Sequence, residues 1–351
     1  MYILLAIIAF GVLIFIHELG HFLAAKACGV TVTEFAIGMG PQLLKWERGE
    51  TVYSLRALPV GGFCAMEGES EASDDPHAFT NQKIWKRLVI LAAGSFMNFL
   101  LGFALVVALY AGAAGFTSPV IEGFFPDCPY EGTLQTGDEI YRVNGKRVWF
   151  TGNFSELAAA DEDGDLDLVI RRGGKRVTLK DYHLVPVEYP REDGTTELKY
   201  GLYFTIDEAT PGRVLRYSLY TSFDYVRMVK DGLVSLLHGD ASMKDMTGVV
   251  GMVDLMNEAG QSAETTSEGI ENVLYLAGFI AVNLAVMNML PIPALDGGHI
   301  LTLLLTFVIE SVTRKKLDPR IEGMIHYVGL LLLLGLMLLI MCQDVVRIII
   351  R

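Results

Sequence analysis

Positive charge is scarce in this sequence. Against 41 Asp and Glu stand 28 Lys and Arg in 351 residues, a net charge of −13. That balance leaves no basic surface for a phosphate backbone and excludes nucleic acid as a partner. Cysteine is scarcer still. Cys28, Cys64, Cys128 and Cys342 form no CxxC pair and fall on different sides of the membrane inferred below, which excludes a disulfide framework. The apolar start has no basic residue ahead of it and no small-x-small cleavage site, so a secretory signal is not expected. What the chain has in excess is apolar residues, 52% of the total, with a mean hydropathy of +0.39. Such a composition belongs to a membrane protein.

Four stretches, 1–25, 88–116, 273–290 and 323–342, approach or exceed the length that crosses hydrocarbon. Lys26, Lys83, Lys86 and Arg87 lie in the first connection, and Arg314, Lys315, Lys316 and Arg320 in the last. By the positive-inside rule both connections are cytoplasmic, and the N-terminus and the long middle segment lie on the other side. That middle segment is acidic, with 26 Asp and Glu against 15 Lys and Arg between 115 and 270. The expected architecture is a multi-pass α-helical membrane protein in the lipid bilayer, with four transmembrane spans, a membrane-associated β-hairpin region and one extracytoplasmic β-rich domain. The expected segments are a first span at 1–26, a cytoplasmic or membrane-associated β-loop region at 27–87 and a second span at 88–116. The β-rich domain at 117–205 and an amphipathic helical segment at 206–270 follow. A third span region at 271–310, a cytoplasmic loop at 311–322 and a fourth span at 323–350 complete the chain.

After Cys28 the period shortens. The run "VTVTEFAIGMGPQLLKWERGETVYSLRALPVGGF" reads as short strands punctuated by Gly38, Gly40, Gly49, Gly61 and Gly62. It is either a plain cytoplasmic meander or a hairpin that dips beside the polar cluster described next, and both readings stand. In the middle segment, alternating strands are separated by the turns Asn144-Gly145 and Gly173-Gly174, which describes a compact β module. The acidic "DEDGDLD" starting at Asp161 has its glycine misplaced for a calcium loop and reads as a solvated turn. Apolar residues at three and four spacing over 211–237 predict an amphipathic helix.

The chemistry concentrates in "FIHELGHFLAAK". His17, Glu18 and His21 interrupt an apolar run, where ionisable groups are costly and mark a functional site. One helical turn apart, His17 and His21 can face a single cation, with Glu18 beside them as a candidate base. Two histidines are one ligand short of a catalytic zinc site. "NLAVMNMLPIPALDGGH" supplies a carboxylate, Asp296, after Pro291 and Pro293 interrupt the helix. His299 competes for that role but is better read as a polar residue opening the next helical piece. His326 reads as an interfacial histidine at the start of the last span.

"HELGH" in a first span, "NMLPIPALDGG" in a later one and a β module between the second and third spans resemble the site-2 protease family of intramembrane zinc metalloproteases. The likeness is to the bacterial branch that cleaves anti-sigma factors, in a form with one PDZ domain. The resemblance implies Zn2+ held by His17, His21 and Asp296, with Glu18 activating water. It further implies that Asn283 and Asn288 hold the unwound substrate backbone and that the strands around Gly38 and Gly40 pair with it. The implied enzyme is a metalloendopeptidase of the bacterial plasma membrane with its active site toward the cytoplasm. Its implied substrates are membrane-spanning proteins, anti-sigma factors or signal-peptide remnants, already shortened by another protease. "AGSFMN" departs from the family in having Ser95 where proline is usual, and "TGVVGM" in having Val249. The alternatives are a non-catalytic membrane PDZ scaffold and a metal-site transporter.

Overall fold

The computed structural model describes every residue except 70–72, 162, 191–194, 241–245, 315–318 and 351, and leaves the side chains of 59–60 and 319–322 undescribed. Lys315 and Lys316, with the side chain of Arg320, therefore lie outside the described residues. The chain divides into two compact units, Met1–Leu109 with Tyr225–Arg351, and Tyr110–Asp224.

The first unit begins with α1 (Tyr2–Cys28), which ends where Gly29 takes the left-handed conformation at φ 76°. β1 (Val32–Arg48) and β2 (Thr51–Met66) follow as a hairpin that folds back on itself. Residues Glu34 to Ile37 pair on one side with Val52 to Leu55 and on the other with Gly62 to Ala65, so two long strands form four antiparallel rows. The outer row, Gly62 to Ala65, lies against α1. A Cβ on Gly62 would stand 3.3 Å from Glu18 Cγ. Of the two readings of this region, the hairpin beside the histidines is the one observed.

α2 (Ile84–Tyr110) closes this part. Val30, Val32, Phe35, Cys64, Met66 and Phe79 bury themselves between the end of α1 and the start of α2, which fixes the sheet to both helices.

The second unit carries β3 (Gly115–Phe124), β4 (Glu139–Val143), β5 (Lys146–Arg147), α3 (Thr151–Ala159), β6 (Asp165–Arg172), β7 (Lys175–His183), β8 (Val187–Pro190), β9 (Thr196–Lys199) and β10 (Leu202–Glu208). Six strands form one sheet in the order β10-β3-β4-β6-β7 with β5 on β4, and β8 pairs with β9 alone. Alternation along the strands sends Ile121, Ile140, Leu166, Leu168 and Ile170 to one face, where Phe154 and Leu157 of α3 seal the core. On the opposite face lies the start of α4 (Pro211–His238), with Tyr217 stacked on Phe116 at 4.5 Å.

Back in the first unit, Tyr225 of α4 packs its ring on Tyr275 and Phe279. α5 (Val249–Gln261) is a second helix inside the segment 206–270 read as helical, separate from α4. α6 (Thr266–Asn288) is capped by the Thr265 side chain accepting from the Glu268 N–H. α7 (Asp296–Thr313) and α8 (Pro319–Ile350) complete the chain. Among the described residues α1, α2, α6 and α8 are long and apolar enough to cross a membrane. The third hydrophobic region is thus two helices: the chain leaves α6 at Asn288 and restarts at Asp296. Asp344 of α8 is buried and accepts from the Gly248 and Gly251 N–H groups at 3.0 and 2.9 Å. It satisfies the exposed donors at the start of α5, which explains an acid inside an apolar span.

Helices α2 and α6 cross through small residues. A Cβ on Gly102 would lie 2.7 Å from Val282 Cγ2 and 2.9 Å from the Gly278 carbonyl, the close approach that apolar bundles rely on. Gly102→Leu is expected to destabilise the detergent-solubilised protein by about 1–3 kcal/mol through overpacking. Gly11→Leu, where a Cβ meets open space, should leave the thermal unfolding midpoint unchanged.

Candidate metal centre

His17 and His21 lie one turn apart on α1 and turn their rings to a common point. Their Nε2 atoms are 3.2 Å apart, and Asp296 Oδ2 lies 3.3 Å from His17 Nε2 and 3.4 Å from His21 Nε2. Ligands held about 2.0–2.1 Å from a tetrahedral ion are about 3.3–3.4 Å from one another, so the triangle has the edges such an ion requires. Asp296 Oδ2 is sealed from solvent and accepts no well-formed hydrogen bond, which is costly for a carboxylate unless a cation shares it. The donor set, two imidazoles and a carboxylate, suits zinc. Among the described residues these three form the one group of His, Cys, Asp and Glu able to share an ion.

The second side of each imidazole faces α2. His21 Nδ1 lies 2.8 Å from the Ile90 carbonyl, so it carries the proton and leaves Nε2 free with its lone pair. His17 Nδ1 lies 3.5 Å from Asn98 Nδ2 and 3.5 Å from Asn288 Nδ2. Ile90, Gly94 and Asn98 follow one another at four-residue spacing, a single ridge along α2 that matches the His17–His21 pair. Gly94 opens the gap between them. A Cβ there would run into His21 Nε2 and stand 2.7 Å from His17 Cε1.

Asp296 is aimed by the turn before it. Ala294 is held in the left-handed region at φ 76°, and its N–H donates to His326 Nδ1 at 3.3 Å. His326 Nε2 faces Thr302 Oγ1 at 3.0 Å and the His326 ring stacks on His299 with centroids 3.7 Å apart. His299 is thereby occupied away from the donor triangle. Gly297 and Gly298 carry no side chain because a Cβ on either would strike the backbone of Met289, Leu290 or Ile292. The Asp-Gly-Gly sequence lets the turn fold back on the first turn of α7.

Asn288 therefore joins the cluster. Asn283, about 140° round α6 from it, makes no hydrogen bond with the cluster among the described residues. Gly38 and Gly40 lie on β1 at φ 85° and 84°, where the hairpin turns back, with Gly38 packed against the Leu58 carbonyl. Sequence reasoning missed Gly94 and Asn98, although an asparagine inside an apolar span four residues after a glycine was the available signal. It also missed the grip of His326 on Ala294.

Residues 5–336 match peptidase family M50. The chain belongs to that family. A Clostridium acetobutylicum protein named for zinc metalloprotease activity is 36% identical over 348 residues, covering 98% of this chain and 97% of that protein. The regulator of sigma-W protease RasP of Bacillus subtilis is 25% identical over 424 residues, 97% of each chain. A PDZ domain from Listeria monocytogenes covers 26% of this chain and 90% of its own at 17% identity, with a TM-score of 0.18, a likeness too slight to bear on the fold. The M50 chain is an integral membrane metalloendopeptidase of the site-2 protease type, and its metal is zinc.

If the Gly94 gap is what admits the ion between the two rings, Gly94→Ala should lower zinc content after dialysis by about tenfold or more. Elemental analysis of the purified protein checks this. Gly112→Ala, where a Cβ meets nothing, serves as the matched control.

Proposed function

We propose that this metalloendopeptidase cuts peptide bonds within the membrane-spanning segments of single-span proteins, with anti-sigma factors or signal-peptide remnants as the substrate class. The substrate is first shortened by another protease. The reading rests on one observation above all: the donor triangle is built from α1 and the first residue of α7, inside the apolar unit, with Glu18 adjacent to the hairpin's outer row. The Bacillus subtilis relative, named as a regulator of sigma-W protease, makes anti-sigma factors the first substrates to test.

In this reading His17 Nε2, His21 Nε2 and Asp296 Oδ2 hold the zinc. When bound, zinc supplies a Lewis acid and lowers the pKa of water from 15.7 to about 7. Glu18 takes the proton from the attacking water and delivers it to the leaving nitrogen. Ile90 fixes the His21 tautomer through its carbonyl. Asn98, its amide rotated so that Oδ1 accepts from His17 Nδ1–H, does the same for His17 and at once satisfies an oxygen that is otherwise buried without a partner. A substrate helix has all its carbonyls bonded internally and must unwind before attack. The Asn288 and Asn283 amides, and the backbone of the hairpin kept in shape by Gly38 and Gly40, offer replacement partners.

Glu18→Gln should keep its zinc and its thermal midpoint while losing about 10²–10⁴-fold in cleavage of a single-span substrate reconstituted in liposomes. Turnover near the original rate would remove Glu18 from this role. Asp296→Asn should instead lose zinc affinity, because a neutral amide is a poor substitute for a carboxylate, and metal titration reads this directly. Unchanged affinity would point to another third ligand.

Asn98→Ala should weaken zinc binding by about 10–100-fold and alter the visible spectrum of the cobalt-substituted protein, with Asn98→Asp restoring both. A spectrum identical to that of the unmodified protein would leave Asn98 as a packing residue.

A further inference from the structure

The second unit carries an open cavity of about 810 Å³ on the face of the sheet opposite α3. Ile140 points into the core beside α3, so its neighbours Glu139 and Tyr141 point the other way. The first turns of α4 form the facing wall through Arg216, Tyr217 and Tyr220. Nothing in the proteolytic chemistry uses this cavity.

Its charge is opposite to that of its surroundings. Between 110 and 224 there are 19 Asp and Glu against 12 Lys and Arg. Yet four of those cations, Arg142, Arg147, Arg171 and Arg216, line this one cavity with only two acids, Glu139 and Asp207. Glu139 is shared, 3.1 Å from Arg147 Nη2 and 2.8 Å from Arg171 Nη1, so one carboxylate serves two guanidinium groups. Asp207 accepts from the Tyr217 hydroxyl at 2.9 Å and lies 3.5 Å from Arg213 Nη2. Among the described residues neither Arg142 nor Arg216 has a carboxylate partner; Arg216 Nε donates to the Tyr220 hydroxyl at 2.8 Å.

The walls are aromatic as well as cationic. Arg147 lies 3.7 Å and Arg171 4.4 Å from the Tyr141 ring centre, and Trp149 stands beside Arg147 and against Tyr220. Guanidinium groups stacked on rings are held in place with N–H edges left to donate, the arrangement that captures carboxylates. The volume falls in the range of ligand cavities.

We propose that this cavity binds an acidic polypeptide segment. Such a segment offers several carboxylates at intervals, to Arg142 on the sheet and Arg216 on α4, together with side chains that cover Tyr141 and Trp149. A single small anion would leave the rings uncovered. The acidic remainder of the unit repels the same segment elsewhere, so charge selects this face. The proposal is independent of the catalytic assignments.

The test uses the full-length protein in detergent and a fluorescein-labelled decapeptide rich in Asp and Tyr, with its Lys-for-Asp counterpart as the control. The acidic peptide should raise the anisotropy and bind more weakly as salt is increased, and the lysine peptide should not bind. Arg142→Ala with Arg216→Ala, which spares the Glu139 pairs, should weaken binding by about tenfold or more. The double lysine variant should retain most of it. Near-ultraviolet circular dichroism establishes that the second unit stays folded. Equal affinity for a C-terminally amidated peptide assigns recognition to side-chain carboxylates and supports the proposal; loss on amidation assigns it to a chain terminus and overturns it. Equal binding of the lysine peptide, or unchanged affinity in the alanine variant, overturns the proposal. So would failure of the peptide to bind while phosphatidylglycerol nanodiscs bind in an Arg142- and Arg216-dependent way, since the ligand would then be lipid.

Discussion

Three lone-pair donors held 3.2–3.4 Å apart inside an apolar bundle oppose one another unless a cation lies among them. In water such a cluster relaxes or takes up protons. Here the turn before Asp296 and the ridge of α2 prevent it from relaxing, so the arrangement is preorganised for a divalent ion. Much of the first unit serves that end. Gly94 opens space for the rings, Gly297 and Gly298 let the turn close, and Ala294 accepts an unfavourable φ held by His326. Strain of this kind persists only where neighbouring contacts over-determine it.

The donor triangle was legible because its cost is local. Ionisable groups in an apolar run violate composition, and His17 and His21 at one-turn spacing announce a shared face. Asp296 after two prolines shows where a helix must yield. The amphipathic helix beginning at Pro211 was equally plain, since its period does not depend on what it packs against. The β module could be read from Asn144-Gly145 and Gly173-Gly174, whose residues sit at positive φ in the observed turns.

What could not be read depends on distant partners. β1 and β2 each look like one strand or several short ones. Their four-row pairing arises because Glu34 to Ile37 bond on both sides, and no local pattern specifies a second partner. α5 lies within the segment 206–270 read as helical, but its start is stabilised by Asp344, 93 residues beyond Gly251, so nothing near Val249 marks where it begins. Asn98 was visible as a polar residue in a span, but its meaning required knowing that α2 presents that ridge to α1.

The same reasoning bears on how a peptide bond could reach Glu18. A buried helix gives up its carbonyls only if each finds another partner, because an unsatisfied amide in an apolar setting costs several kcal/mol. The outer row Gly62 to Ala65 has a strand partner on one side alone among the described residues, so its other edge is a candidate to pair with an extended chain on the proposed reading. That edge approaches Glu18 because residue 62 is a glycine: a Cβ would already be within 3.3 Å of the carboxylate side chain. A larger residue would move the edge and the base apart together. On the proposed reading, unwinding and proton transfer are therefore set by one distance, and the hairpin is as much a part of the active site as the helix that carries the histidines.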